Sequence, residues 1–222
     1  MIKIIVATTS MMLLLMSNAY AGSFLEGDGV GSSGDYAGMS SGVARRDSSL
    51  TDRNGASSNL YYSGTGIPLS AFVGRQYGVG LRMEGELFYK SDSADRWQYA
   101  GVSHSVDSRV WSLGVMGNLY YDFYHDLERL KDLPFSPYAG FGIGCASLSV
   151  SGATVNALRL WNDGQGMVFA YQAVVGSSFP VSKKILLDVS YRYFGTSSAT
   201  IDQINVDYVS HNFLIGVRYL FR

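Results

Sequence analysis

Cysteine is almost absent from this sequence: Cys145 is the only one among 222 residues. A single thiol excludes an internal disulfide framework. On an apolar strand face it reads as a small hydrophobe rather than a nucleophile. Proline is nearly as scarce, with four residues against 26 glycines and 16 tyrosines, a balance that favours an all-β chain with few rigid loops. No charge of one sign dominates, since 17 Lys and Arg stand against 18 Asp and Glu, so no basic field points to nucleic acid. Beyond the N-terminus no apolar run reaches half of the roughly 20 residues that a membrane helix takes. There is no HExxH, no Cys/His ligand spacing and no acidic calcium loop, so neither metal nor cofactor is expected. A literal GxGxxG at Gly29, Gly31 and Gly34 lacks the strand before it and the helix after it that dinucleotide binding needs.

What is present begins with an export signal. Lys3 is followed by a mostly apolar core from Ile4 to Met16, and Ala19-Tyr20-Ala21 is an A-x-A cleavage site. The expected division is a signal peptide over 1–21, cut after Ala21, a flexible leader over 22–34 and one domain over 35–222.

That domain is written in period two. In RVWSLGVMGNLYYD (109–122), Trp111, Leu113, Val115, Gly117, Leu119 and Tyr121 share one face, and Ser112, Gly114, Met116, Asn118, Tyr120 and Asp122 the other. One face is greasy with aromatics near its ends, and the other is small and polar. That pattern suits a strand between lipid and a polar barrel interior, where a tilted crossing takes about 9–11 residues. The same alternation returns at 67–76, 81–90, 136–149, 166–179, 184–194 and 210–221, with a weaker candidate at 35–44. Eight strands with alternately long and short connections predict an eight-stranded antiparallel up-and-down transmembrane β-barrel. The long connections are expected at 45–59, 91–108, 150–165 and 195–209. Short turns are expected at 77–80 and 180–183, with one or two helical turns within 125–133.

The register sends Arg82, Arg192 and Arg218 into the interior, with Arg75 beside them. Facing them are Glu84, Glu86, Asp122 and Asp188, joined by Asn118 and Gln172. Eight closed strands leave a bore just wide enough for side chains. Buried charge is costly unless paired, so balanced content predicts a cross-barrel ionic network in preference to an open channel. Gly140, Gly142 and Gly144 fall on one face and would make room for bulky neighbours. Trp97, Tyr99, Arg159, Leu160 and Trp161 lie in the long connections, where an aromatic and arginine mix suits binding hot spots or interfacial anchoring. A rim-sited lipid hydrolase would have to draw on His104, Ser105, Asp107 and His211. Adjacent side chains on an extended backbone diverge, which sets His104 and Ser105 apart.

AFVGRQYGVGLRMEGELFYKSD (71–92), MGNLYYDF (116–123), FSPYAGFGIGCA (135–146), FAYQAVVGSSFPVSKKILLDVSYRYFG (169–195) and HNFLIGVRYLF (211–221) together resemble a family. It is the opacity-protein/surface-antigen barrels of Gram-negative outer membranes, and the closest likeness is to surface antigens of obligate intracellular bacteria. The most specific marks are Tyr138, Gly140 and Gly142, then Tyr171-Gln172, then Tyr191-Arg192-Tyr193. The resemblance implies an outer-membrane barrel surrounded by lipid, whose exposed loops vary and meet a host surface receptor or antibody. Residues 22–66 match poorly, and Phe221 is followed by Arg222 where the family's strands end on an aromatic. A small-solute porin-like channel is the alternative function. N-terminal sequencing of the exported protein should begin at Gly22; a mature chain still starting at Met1 would remove the signal-peptide assignment.

Overall fold

The computed structural model describes residues 33–51, 57–61, 66–99, 102–123, 134–150, 153–155, 158–161, 164–201, 204–206 and 208–221. The expected signal peptide, most of the leader and the expected helical turns lie outside the described residues. Eight strands make the barrel: β1 (Gly34–Thr51), β2 (Ile67–Gln76), β3 (Leu81–Tyr99), β4 (Val102–Asp122), β5 (Ser136–Val150), β6 (Gly164–Ser182), β7 (Ile185–Thr196) and β8 (Val209–Phe221). Each pairs antiparallel with the next. β8 then returns to β1, from Asp35 opposite Phe221 to Asp47 opposite Val209. The sheet therefore closes, and its edges disappear along the barrel wall.

Successive side chains alternate between the two sides of that wall. On β3, Leu87 is 53% exposed, whereas its neighbours Glu86 and Phe88 are each 4% exposed. The exposed positions are Met39, Val73, Leu113, Val115, Phe141, Ile143, Val175, Ile215 and others like them, nearly all apolar. The buried set includes Arg82, Glu84, Glu86, Asp122, Asp188, Arg192 and Arg218. Such a surface is stable only where the outer solvent is itself apolar. Aromatic pairs gather at both ends of the greasy band. At the short-turn end are Tyr121–Phe123, Phe135–Phe179 and Tyr219–Phe221, with ring centroids 5.5–5.6 Å apart. At the other end are Tyr191–Phe213 at 5.1 Å and Tyr193–His211 at 5.4 Å. From Phe213 to Phe221, eight steps at about 3.3 Å with the usual tilt of about 40° rise roughly 20 Å, close to the hydrocarbon band of such barrels.

Glycine makes space inside. A Cβ added at Gly38 would collide with Phe72, at Gly74 with Tyr36, at Gly114 with Phe88, at Gly140 with Tyr120 and at Gly176 with Tyr138. Each of these glycines stands directly opposite its aromatic on the neighbouring strand. Five large rings thus sit against the bare backbone of the next strand. Gly142 and Gly144 do the same for Asn118 and Met116. Gly80 instead closes the β2–β3 turn with a φ of 82°, and its N–H donates to the Tyr77 carbonyl at 3.1 Å.

The predicted strand ends need correction at the long-connection end. β1 does not stop at residue 44 but runs to Thr51, and the expected loop over 45–59 also contains the strand Ser57–Tyr61. The expected loop over 91–108 is a continuation of β3 and β4, paired as far as Tyr99 opposite Val102. Two small hairpins occupy the other long connections, Ala153–Val155 with Leu158–Trp161 and Ala199–Ile201 with Ile204–Val206. Above the bilayer both faces of a strand meet water, so the greasy–polar alternation fades while backbone pairing continues. The expected turn over 180–183 is also shifted, since β6 runs to Ser182 and the turn is at 183–184. Pro180, which has no N–H to donate, sits beside the register shift at Ile185/Leu186.

Spin labels at Leu113, Ile143 and Leu187 should be relaxed by oxygen dissolved in lipid and ignored by a water-soluble nickel chelate. Relaxation by the chelate at all three would invalidate the inside-out arrangement.

Candidate functional site

Facing inward from every strand, the polar side chains settle into three tiers. In the tier nearest the short turns, Arg82 Nε donates to Asp122 Oδ2 at 2.8 Å. The Arg82 guanidinium carbon lies 4.6–4.8 Å from the ring centroids of Tyr138 and Tyr120. Arg218 holds Asp188 with two donors, Nε to Oδ2 at 3.0 Å and Nη2 to Oδ1 at 2.5 Å. The Ser178 hydroxyl donates to Asp188 Oδ1 at 2.6 Å. Such forked, charge-assisted contacts fix orientation as well as energy.

In the middle tier Glu86 is the hub. It accepts from Asn118 Nδ2 at 2.8 Å and Gln172 Nε2 at 3.0 Å, and it is ion-paired with Arg192 Nη1. Gln172 Nε2 also donates to Asn118 Oδ1 at 2.7 Å. β3 and β7 lie four strands apart in a ring of eight, so the Glu86–Arg192 pair ties opposite walls. Glu84 accepts from the Tyr36 hydroxyl at 3.1 Å and the Tyr120 hydroxyl at 3.3 Å.

The third tier holds groups that reading the sequence did not single out. Lys90 Nζ lies 3.3 Å from the Phe194 ring centroid, again across the bore. Asp92 accepts from the Tyr208 hydroxyl at 2.9 Å, and Arg46 stacks over the Tyr208 ring at 4.0 Å. Phe194 packs edge-on against both Phe88 and Tyr208. Arg75 needs the opposite correction. It faces outward at the short-turn end and pairs with Asp35 at 3.7 Å, both side chains more than half exposed. β2 places Gln76, not Arg75, on the inner side. Among the described residues the buried cations are Arg46, Arg82, Lys90, Arg192 and Arg218, and the buried anions are Glu84, Glu86, Asp92, Asp122 and Asp188. Five stand against five. Among the described residues, gaps of about 20 and 10 Å³ lie beside them, room for about one water molecule each at most.

The remaining candidates do not converge. His211 faces outward on β8, its Nδ1 2.6 Å from the Tyr191 hydroxyl. The His104 backbone is on β4, on the opposite side of the ring from β8, and its side chain lies outside the described residues, as do those of Ser105 and Asp107. The side chains of Trp97, Tyr99, Arg159, Leu160 and Trp161 also lie outside the described residues. Their backbones belong to β3 and to the hairpin strand Leu158–Trp161. Among the described residues no group of three His, Cys, Asp or Glu is arranged to hold a metal.

A family model described as "Surface antigen" matches residues 87–215, from β3 to β8 and more than half of the chain. The chain belongs to the surface antigen family. This surface antigen is 27% identical over 189 residues to an outer membrane protein of Gluconacetobacter diazotrophicus, covering 74% of its own chain and 49% of the relative. It is 25% identical over 135 residues to the outer membrane protein PagN of Salmonella typhimurium, covering 54% of each. The chain thus spans about half the length of these two relatives. Its fold matches the outer membrane protein OprG of Pseudomonas aeruginosa with a TM-score of 0.58 at 14% identity, over 88% of this chain and 99% of that one. The surface antigen is an eight-stranded outer-membrane β-barrel, and lipid is the solvent of its outer wall.

Removing one member of a buried ion pair strands its partner, at a cost of about 3–5 kcal/mol. Arg192→Met should therefore lower the urea unfolding midpoint in lipid vesicles by that equivalent, whereas Arg192→Met with Glu86→Leu should recover much of it. Equal loss in the single and double variants would show that the pair is not the coupling.

Proposed function

We propose that the surface antigen is a display protein: a plugged barrel anchors it in the outer membrane, and its long-connection end recognises a host surface or ligand. The observation that carries this reading is the length of β3 and β4, 19 and 21 residues, against the roughly 9–11 that cross a bilayer. β3 continues ten residues past Tyr89, its last described exposed apolar residue. At about 3.3 Å per residue the paired arm extends roughly 30 Å along the strands beyond the greasy band. Short turns face the periplasm in such barrels and long connections face outward, so the arm stands on the cell surface. Trp97 and Tyr99 near its tip, with Arg159 and Trp161 on the neighbouring hairpin, are the proposed contact residues for a receptor or antibody.

The interior side chains serve the anchor. Arg82, Glu84, Glu86, Asp122, Asp188, Arg192 and Arg218 fill the bore with ion pairs and hydrogen bonds, Glu86–Arg192 reaching across it, a structural role that supports a plug over the porin-like alternative and needs no catalytic group. Export after cleavage at Ala21 completes the proposal. Kinship with surface antigens of obligate intracellular bacteria rests on the sequence resemblance.

Replacing 48–65, 93–109, 151–163 and 197–207, which leaves Arg46, Asp92 and Tyr208 in place, with short turns should abolish adherence of expressing cells to cultured host cells. The heated and unheated forms should still migrate differently on gels, since a closed barrel resists detergent until boiled. Adherence that survives all four replacements would end the display reading. Steady ion-selective conductance in planar bilayers would replace the plug with a channel.

A further inference from the structure

The outer wall carries a polar cluster where lipid contact alone would call for none. Arg45 on β1 stands directly opposite His211 on β8, and His211 directly opposite Tyr193 on β7. Arg45 is exposed, and His211, Tyr191 and Tyr193 are half-buried, all on the outer side. The Tyr191 hydroxyl lies 2.6 Å from His211 Nδ1, and its ring stacks on the imidazole with centroids 6.0 Å apart. Tyr193 meets the same imidazole edge-on at 5.4 Å. The imidazole is therefore held in one orientation by two tyrosines, on the residue paired with Arg45.

Position and surroundings say what this cluster meets. The other described outward-facing charges, Asp35, Arg75, Lys183 and Lys184, are all at the short-turn end. Among the outer-wall side chains that are described, Arg45 is the charge at the long-connection end. An arginine on the lipid face is costly at the bilayer midplane and nearly free of cost near the interface. Ten residues above Asp35 on β1, in the upper aromatic girdle, Arg45 is at headgroup depth. Directly below it runs an exposed apolar column, Val43, Phe213 and Ile215, at acyl-chain depth. Cation and polar rings lie side by side at one level with the greasy column beneath them, the arrangement of a phosphorylated sugar above its acyl chains.

We propose that Arg45, His211, Tyr191 and Tyr193 form a site on the outer wall for the phosphorylated sugar headgroup of an outer-leaflet glycolipid. The guanidinium takes the phosphate through forked N–H donors. The tyrosine and imidazole rings supply a flat surface with polar edges to the sugar, and the column below takes one acyl chain. The site binds a lipid that the barrel touches throughout its life, which distinguishes it from recognition at the loop tips.

The test uses the full folded chain in detergent micelles and native mass spectrometry, with bisphosphorylated lipid A as the probe. The wild-type protein should retain lipid A, and Arg45→Ala should weaken retention about tenfold, the loss expected for a charge-assisted phosphate contact. Arg45→Lys should restore part of it, and Lys183→Ala at the other end should change nothing. Dephosphorylated lipid A should bind the wild type as weakly as lipid A binds Arg45→Ala. Should Arg45→Ala fail to show the heat-dependent gel shift of a folded barrel, Arg45→Gln and His211→Asn read the same contact. Equal retention by wild type and these variants, or by phosphorylated and dephosphorylated lipid A, overturns the site. Displacement of lipid A by millimolar inorganic phosphate would make it a free-phosphate site and overturn the glycolipid assignment.

Discussion

A charge enclosed by eight paired strands can be neutralised only by another side chain of the same interior. That constraint governs the rest of the molecule. Glu86 finds Arg192 across the full width of the bore, and Arg218 finds Asp188 on the adjacent strand. Each pair holds because neutral donors complete it: Asn118 and Gln172 around Glu86, Ser178 beside Asp188. A half-satisfied network would be worse than a greasy interior. The balance of five cations and five anions among the described residues follows from that necessity. The opposition of glycine to aromatic serves the same end, because a ring set against a bare backbone takes less of the bore.

The outer wall obeys the complementary rule. With hydrocarbon as solvent, apolar exposure carries no penalty and backbone groups must all be paired within the sheet. The closed hydrogen-bonding circuit through β8 and β1 meets that demand. Charges on this wall are confined to its ends. Asp35 and Arg75 pair with each other beside the short turns, and Arg45 stands in the opposite girdle with His211. Depth in the membrane therefore sorts the outward-facing residues more strongly than any local contact does.

The membrane-spanning band and the strand ends beyond it are physically separable in this design. The band between the girdles needs only about 9–11 residues per strand, and β2, β7 and β8, at 10, 12 and 13 residues, provide little more. β1, β3, β4 and β6 are far longer, and the excess of the first three lies at the long-connection end, where sequence is free of the lipid-facing constraint. Changes there would leave the ion pairs below undisturbed.

Period two was readable in the chain because the two sides of a membrane strand meet opposite solvents, and it placed Arg82, Glu84, Glu86, Asp122, Asp188, Arg192 and Arg218 inward without any contact being known. The same signal fails wherever both sides meet the same solvent, which is why the far end of β1 and the β3–β4 arm looked like loops. Arg75 was misplaced for a related reason. It sits in a strand whose inward side is carried by Pro68, Phe72 and Gln76, with a polar group beside it to confuse the parity. Lys90 ends an expected strand and Asp92 falls in an expected loop, and nothing linear tells that Phe194 and Tyr208 wait beside them. Strand number, register and inside-out polarity are properties of local alternation, and the amino-acid order alone determines them. Which cation meets which anion, and that Arg45 lies beside His211 from the far end of the chain, depends on closure of β8 onto β1, a contact between residues more than 160 positions apart that only the tertiary structure decides.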